Sequence, residues 1–460
     1  AELMRILVDE ENMPWDDAWA VTVRTMGYTN HTILAEALEK WELGMFKSLL
    51  PRIYMIVEEI NRRFCAEVSA RYDGDWNKLK AMSIIQDGVV KMAYLAIVGS
   101  HSVNGVAELH TEILKNQELA DFNAFYPGKF NNKTNGITHR RWLMKANPGL
   151  TALLDETVGT EWKRDPIRLH DIESHIGDAG FSEALRRVKR ENKVRLADYI
   201  RQVCGVAVAP DSVFDIQVKR LHMYKRQLLN IMHVMDLYNR LCDNPSLDIV
   251  PHTYIFAAKA FPSYLIAKNV IKLINTVADT VNHDKRVGDR LKVVFLPNYS
   301  VSLAELMIPA GDVSEQISTA SKEASGTGNM KFMMNGAVTC ATLDGANVEI
   351  HRAVGDENIV LFGMTAEEVI RSYKAGDYCA KDWIARDPRL KRILDQIAAG
   401  CYGVCKNEEF SMIVRHLTEE NDPYFILKDF SSYADAQHRI DSLYRDTNRW
   451  SRMSAVNIAC

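Results

Sequence analysis

The chain has 460 residues, of which 47% are hydrophobic and 25% are charged, and it carries a net charge of −4. This composition is typical of a globular protein, and the length predicts two or three domains. The weak negative charge argues against a nucleic-acid partner. Charged residues interrupt the apolar runs well before the ~20 residues that a membrane span needs, and the N-terminus has no signal core. The sequence therefore predicts a cytoplasmic protein with no membrane partner.

The first ~130 residues are predicted to be mostly helical. A helix start is indicated at Pro14, which precedes two acidic residues. A second helix is predicted from Pro51 to Phe64, because apolar residues recur there at helical spacing. Its apolar stripe consists of Ile53, Ile56, Val57, Ile60 and Phe64.

After Asn135 the pattern changes to short apolar, β-branched strands that alternate with amphipathic helices. This alternation predicts a doubly wound, mostly parallel α/β domain, in which ligands bind at the carboxyl ends of the strands. Helices are predicted at Tyr224–Leu241 and Pro262–Val281, and over the last ~60 residues. The predicted strands are Val213–Val218, Tyr254–Ala257, Val293–Leu296, Val338–Thr342 and Ile359–Phe362.

One short run is unusually rich in functional groups: Glu323-Ala324-Ser325-Gly326-Thr327-Gly328-Asn329-Met330-Lys331. Its glycines let backbone N–H groups approach an anion, and a helix is expected to begin near Met330, with its N-terminus facing the same point. The residues alone leave three interpretations open: an ordinary loop capping a helix, a nucleotide phosphate loop, or a cofactor-phosphate cradle with Lys331 as a Schiff-base lysine. The spacing fits neither the Walker nor the dinucleotide pattern.

A basic segment, Lys219–Arg226, follows the predicted strand that ends at Val218 and holds four basic side chains and a histidine. At the carboxyl end of a strand, the ammonium groups of Lys219 and Lys225 and the planar guanidinium of Arg220 predict an anion site. A solvated basic helix face is the alternative, and composition by itself favours it.

Other groups give weaker signals. Cys401 and Cys405 form the only close cysteine pair and lack neighbouring ligands, so no metal site is predicted. Glycosidases need a close pair of carboxylates, and the candidates Glu323 and Asp344 stand in no recognisable pairing. A lone histidine such as His31 is more often structural than catalytic.

The run Glu323–Lys331, with its flanks Ser314–Ala320 and Thr342–Glu349, resembles the pyridoxal-phosphate attachment segment of the α-glucan phosphorylases, the family of glycogen, starch and maltodextrin phosphorylases. Lys219–Arg226 is similar to a phosphate-binding motif of that family, with Met223 where the family usually has glutamate.

Further segments carry the same resemblance. Thr134–Trp142 resembles the family's domain-junction motif, with His139 in place of a proline, which predicts a looser turn. Tyr28–Thr32 resembles a glucose-site element, and Ala257–Tyr264 resembles a loop in which three of the family's glycines are replaced. Ser321 also stands where the family generally has glycine.

The resemblance implies an α/β fold of two Rossmann-like domains in the GT-B glycosyltransferase architecture. Residues 1–134 would form the C-terminal portion of an incomplete, glucan-binding N-terminal domain. Residues 135–460 would form the pyridoxal-phosphate-binding domain, without its last helix. A full family member is longer at both ends, so we expect a truncated chain whose independent activity is an open question.

The resemblance also implies the reaction: orthophosphate cleaves terminal α-1,4-glucosidic bonds of a glucan to α-D-glucose 1-phosphate, with the 5′-phosphate of pyridoxal 5′-phosphate as proton relay, in a homodimer. A nucleotide-sugar-dependent glycosyltransferase of the same architecture and a non-catalytic glucan- or cofactor-binding fragment are the alternatives. The implied site has catalytic Lys219, Arg220, Lys225 and His31; substrate-binding Asn135, Glu323, Ala324, Ser325 and Gly326; and cofactor-binding Lys331, Thr327, Gly328, Tyr299, Trp142 and Lys219.

Overall fold

A computed structural model describes residues 1–34 and 36–460. The chain divides into two compact units. The first comprises Ala1–Asn135 and Ser321–Ser325, and the second comprises Gly136–Ala320 and Gly326–Cys460. Within the described residues, no helix combines the length and the apolar character that crossing a bilayer requires.

The first unit contains helices and two small sheets. Its helices are α1 Glu2–Arg5, α2 Trp15–Thr25, α3 Leu43–Leu49, α4 Pro51–Arg71, α5 Trp76–Met82, α6 Met92–Val98, α7 Glu108–Ile113 and α8 Ala120–Phe125. Its strands are β1 Gly27–Thr29, β2 Lys40–Glu42, β3 Ile85–Gln86, β4 Val89–Lys91, β5 Ser102–Gly105 and β6 Phe130–Asn132. One sheet is parallel with the order β1-β5-β6, and the other is antiparallel with the order β2-β4-β3.

Helix α4 forms the core of this unit and confirms the predicted helix and most of its stripe. Ile56, Val57, Ile60 and Phe64 are buried, and the Phe64 ring packs edge-on against Phe125 with 5.4 Å between ring centroids. The sequence does not predict the two sheets, because their strands are too short to show a periodic pattern.

The second unit is a large parallel sheet with helices around it. Its helices are α9 Pro148–Val158, α10 Ala179–Cys204, α11 Gln227–Asp243, α12 Leu265–His283, α13 Val301–Ala310, α14 Gly328–Met334, α15 Asn347–Val354, α16 Ala366–Ala375, α17 Ala380–Arg386, α18 Pro388–Ala398, α19 Ser411–Thr418, α20 Ile426–Arg445 and α21 Thr447–Ala459. Its strands are β7 Val213–Val218, β8 His252–Ala257, β9 Leu291–Leu296, β10 Val313–Gln316, β11 Val338–Ala341 and β12 Val360–Leu361.

The strand order is β12-β11-β10-β7-β8-β9, and the strand pairs are parallel. The chain runs outward from β7 to β9 and then returns to the other side of β7, so the order reverses between β7 and β10. Along β8, Tyr254 and Phe256 pack into one hydrophobic cluster and Ile255 and Ala257 into another, so both faces of the sheet are covered. The predicted doubly wound α/β fold is confirmed, and its topological switch point, where ligands bind in such sheets, lies between β7 and β10.

Strand β10 lies in the middle of the sheet, yet the sequence does not predict it. Ser314, Glu315 and Gln316 are polar and buried, so neither an apolar run nor an alternating pattern marks the strand. Its position is decided by partners from elsewhere in the chain.

The predicted starts of three helices are wrong by a few residues. Helix α11 begins at Gln227 rather than at Tyr224, because Arg226 has a left-handed backbone with φ of 58° that interrupts the helical path. Helix α12 begins at Leu265 rather than at Pro262. Helix α14 begins at Gly328 rather than near Met330.

Candidate functional site

Two strand ends meet at the switch point. Lys219 directly follows β7, and its Nζ donates a hydrogen bond of 2.7 Å to Oε1 of Gln316, the last residue of β10. Gly328 lies beside the same amide, since a Cβ on Gly328 would stand 3.9 Å from Nε2 of Gln316. The structure therefore joins the basic segment to the glycine-rich run. Sequence reasoning missed Gln316, whose only signal is its place in the flank Ser314–Ala320.

Amide side chains hold the glycine-rich loop in place. Nδ2 of Asn329 donates to Oδ1 of Asn347 at 2.9 Å, and Nδ2 of Asn347 donates to the carbonyl of Gln316 at 3.2 Å. Gly326 has φ of +76°, a left-handed backbone that would strain any larger residue at this position. The loop after Thr327 thus presents the first N–H groups of α14 in a fixed position suited to an anion.

Lys331 lies one turn into α14 and is half-buried. Its Nζ lies 4.1 Å from the ring centroid of Trp142, and burial lowers the pKa of the Lys331 ammonium. In the described part of the chain no carboxylate forms an ion pair with it. Trp142 belongs to a hydrophobic cluster against which Tyr299 also packs. Lys331 therefore faces an aromatic ring of the same hydrophobic cluster that holds Tyr299, and burial makes its ammonium easier to deprotonate than an exposed one.

The far end of α14 is anchored by polar groups that no sequence pattern singles out. Nδ2 of Asn335 donates to the carbonyls of Trp142 at 2.8 Å and Lys331 at 2.9 Å, and its Oδ1 accepts from Asn147 at 3.0 Å. Asn335 thus fixes the two residues that carry the predicted cofactor contacts. A buried asparagine has no local signature of such a role.

Lys189 from α10 binds the C-terminal ends of two helices, α13 and α14. Its Nζ donates to the carbonyls of Pro309, Gly311 and Asn335 at 3.0, 2.6 and 2.9 Å. Burial lowers the pKa of Lys189 to about 8. All three N–H groups of its ammonium donate to carbonyls at helix ends, which a helix otherwise leaves unpaired. Lys189 therefore has a structural role.

The basic segment divides into two kinds of side chain. Arg226 is completely buried, and its Nη1 lies 2.6 Å from Oδ2 of Asp429, so it does not belong to the predicted anion site. Arg220 is exposed and Lys225 is partly buried, while Met223 is buried in the core. The side chains predicted to meet phosphate are therefore Lys219, Arg220 and Lys225 without Arg226.

In the first unit, predicted sugar-binding groups follow the parallel sheet β1-β5-β6. His31 and Asn135 come after β1 and β6, and the N–H of Asn135 donates to the carbonyl of Val106, after β5, at 2.9 Å. Nδ1 of His110 accepts the N–H of Val106 at 3.0 Å, and its Nε2–H donates to Oδ1 of Asn30 at 3.2 Å. Burial lowers the pKa of His110 to about 4, so a neutral ring, missed by sequence reasoning, fixes the loop carrying His31.

The other predicted substrate residues are divided between the units. Glu323, Ala324 and Ser325 belong to the first unit with His31, and Gly326 belongs to the second. Their roles toward a sugar stay predictions.

A family model described as "Carbohydrate phosphorylase" matches residues 1–460. The chain belongs to this family. It is 56% identical over 458 residues to the glycogen phosphorylase of Bacillus subtilis (strain 168), a match covering 100% of this chain and 57% of that relative. The muscle form from Oryctolagus cuniculus is 49% identical over 461 residues, covering 100% and 54%. The chain thus spans about half the length of the curated relatives it matches. The recognition made from the sequence is confirmed.

The structure shows the surroundings of four residues at which this carbohydrate phosphorylase chain departs from the family pattern. His139 is buried, and its Nε2 bonds to the carbonyl of Lys163 at 2.9 Å, which anchors the turn that was expected to be looser. Ser321 has a left-handed backbone with φ of 75°, a conformation that favours glycine. Ala257 and Ala258 are buried and belong to the strand end and the loop after it.

Proposed function

We propose that this chain forms the catalytic part of an α-glucan phosphorylase, in which orthophosphate cleaves the terminal α-1,4-glucosidic bond of a glucan to release α-D-glucose 1-phosphate. The observation that carries the proposal is Lys331, whose half-buried amine faces Trp142 beside a switch point where Lys219 and Gly328 share the amide of Gln316. Family membership supports the reaction class.

The residues fit pyridoxal 5′-phosphate. Lys331 supplies an amine of lowered pKa, which suits covalent attachment to an aldehyde. Trp142 and Tyr299 offer an apolar wall for a ring, and burial raises the pKa of Tyr299, which keeps its hydroxyl protonated. Lys219 and the N–H groups after Thr327 would hold the phosphate. When bound, the group supplies a phosphate that can exchange a proton near neutral pH.

The remaining groups would act on the substrates. Arg220 and Lys225 would hold the reacting phosphate, with the backbone near Gly326, and their charge would offset the repulsion between two phosphates held close together. The sugar would be held by the carbonyl of His31 and the side chain of Asn135, both on the loops after the small parallel sheet, and by Glu323, Ala324 and Ser325. We propose the first unit as part of the glucan-binding domain and the second as the cofactor domain.

Reductive trapping tests the cofactor assignment directly. The chain is incubated with pyridoxal 5′-phosphate, reduced with borohydride, digested and mapped by mass spectrometry. We expect one phosphopyridoxyl group, on Lys331. Labelling spread over exposed lysines such as Lys381, with Lys331 unmodified, would contradict the proposal.

Phosphorolysis is then measured separately, as glucose 1-phosphate released from a maltodextrin, for this chain and for a form extended to the length of its relatives. Product from the extended form supports the reaction. Trapping on Lys331 without product from either form would favour a cofactor-binding protein over an enzyme. The homodimer and the cytoplasmic location stay predictions.

A further inference from the structure

A cavity lies at the amino ends of the parallel strands, opposite the carboxyl ends where Lys219 lies. It has a volume of about 290 Å³ and is bordered by α10, α21 and the segments leading into β7, β10 and β11. Asp211, Asp312 and Gly336 line it, and each precedes one of these strands. Because the strands are parallel, residues before them share the amino edge, whereas the candidate site uses the carboxyl edge. The cavity, here called the amino-edge cavity, is therefore a separate place in the fold.

The lining of the amino-edge cavity has more positive than negative groups: Arg186, Lys189, Arg190 and Lys193 against Asp211 and Asp312. Inside the protein, Nζ of Lys193 lies 2.5 Å from Oδ2 of Asp312. Near the surface, Nε of Arg190 lies 2.9 Å from Oδ1 of Asp211. These two pairs account for both carboxylates, so Arg186 and Lys189 give the cavity an excess positive charge.

Arg186 and Lys189 differ in how many N–H groups remain available to bind an anion. All three ammonium N–H groups of Lys189 donate to carbonyls. Arg186 is exposed and donates from Nη1 to Oγ of Ser451 at 3.0 Å, and no carboxylate in the described residues forms an ion pair with it. A guanidinium has five N–H donors in a planar fork, so Arg186 can still bind an anion, with its position set by Ser451.

Another part of the lining is aromatic. The rings of Tyr444 and Trp450 meet edge to face with 5.1 Å between their centroids, and Leu185 adds apolar surface. Such a wall packs against a flat apolar body, and an arginine beside it suits a carboxylate or a phosphate.

We propose that the amino-edge cavity binds a small organic anion composed of one planar ring and a carboxylate or phosphate group. The ring packs on Tyr444 and Trp450, and the anionic group accepts hydrogen bonds from the fork of Arg186. Lys189 adds positive potential without direct contact. The volume lies near the lower limit of ordinary ligand pockets, which span ~300–1,000 Å³, and so restricts the ligand to about one ring.

Isothermal titration calorimetry on the 460-residue chain tests this proposal. The probes are phenyl phosphate and benzoate, with phenol as the ring without charge and inorganic phosphate as the anion without a ring. We expect at least one ring anion to bind at least tenfold more tightly than phenol and than inorganic phosphate. The tighter of the two ring anions identifies the anionic group. Arg186→Met should weaken that binding at least tenfold, and Arg187→Met, at the exposed neighbouring position outside the cavity, should leave it unchanged.

Phosphate probes also suit the basic segment at the carboxyl edge, so Arg220→Met is titrated in parallel. Binding that survives Arg220→Met and is lost in Arg186→Met supports the amino-edge cavity. Binding lost only in Arg220→Met, equal affinity for phenol and the ring anions, or no binding of either ring anion would overturn the proposal.

Discussion

The carboxyl edge of the large sheet and the interior beneath it are both rich in ionisable groups, but the two regions hold them differently. At the edge, Arg220 is exposed, and Lys219 and Lys331 are partly buried. In the interior, Arg226 is wholly buried against Asp429, and Lys189 is saturated by carbonyls. Burial and fixed partners, rather than residue type, separate the groups that stabilise this fold from the groups that remain available to a ligand.

Two buried carboxyl groups, on Asp215 and Glu315, are also held by a fixed partner in the interior. Nε2 of Gln437 donates to Oδ2 of Asp215 at 3.3 Å and to Oε1 of Glu315 at 2.7 Å. Oδ1 of Asp215 and Oε2 of Glu315 have no hydrogen-bond partner among the described residues. Burial raises the pKa of Asp215 to about 7, and burial together with the charge of Asp215 raises the pKa of Glu315 well above its usual value.

The largest difference in stability is expected between variants at two arginines of the basic segment, Arg226 and Arg220. Arg226→Met leaves Asp429 buried without its cation and should lower the free energy of unfolding by about 4 kcal/mol, as broken buried ion pairs do. The matched variant Arg220→Met, at an exposed position, should change it by less than about 0.5 kcal/mol. Urea denaturation of both variants makes the comparison, and similar losses would contradict the division between edge and interior.

A smaller loss is expected from Lys189→Met. The carbonyls of Pro309, Gly311 and Asn335 lose their donor, while removal of a desolvated charge offsets part of the cost. We expect about 3 kcal/mol of destabilisation. Lys381→Met, at an exposed position, is the control. A loss no larger than that of the control would show that the three bonds contribute nothing.

The carboxyl pair should make stability depend on pH. The unfolded pKa of Asp215 is ~3.9, so between that pH and about 7 the folded state binds more protons. The free energy of unfolding therefore falls as pH rises through this range. Asp215→Asn keeps the shape without ionising, so between pH 5 and 8 it should lose less stability than the wild type, by about 2 kcal/mol. Denaturation curves at both pH values measure this, and parallel pH profiles would show that the pKa of Asp215 is not raised in the folded state.

The smallest effect on stability is expected at the edge. Lys331→Met keeps the contact with Trp142 and removes a partly desolvated charge, so the free energy of unfolding should change by less than about 1 kcal/mol. The same variant should abolish trapping of pyridoxal 5′-phosphate. A large loss of stability would instead place Lys331 with the structural lysines such as Lys189.

The sequence by itself determined the fold class, the main strands of the large sheet and the family. Strands such as Val213–Val218 are apolar and regularly spaced, and a local pattern needs no knowledge of distant residues. The run Glu323–Lys331 and the basic segment could be recognised for the same reason, because each is contiguous in the chain.

Only the tertiary structure decided which members of these motifs share a site. Strand Val313–Gln316 is buried but polar, so its place depends on partners far along the chain, such as Lys219 for Gln316 and Gln437 for Glu315. Arg220 and Arg226 stand in one segment, yet one is exposed and the other is paired inside the protein. Burial and ion pairing depend on contacts between segments that are distant in the chain, and a local sequence pattern does not show those contacts.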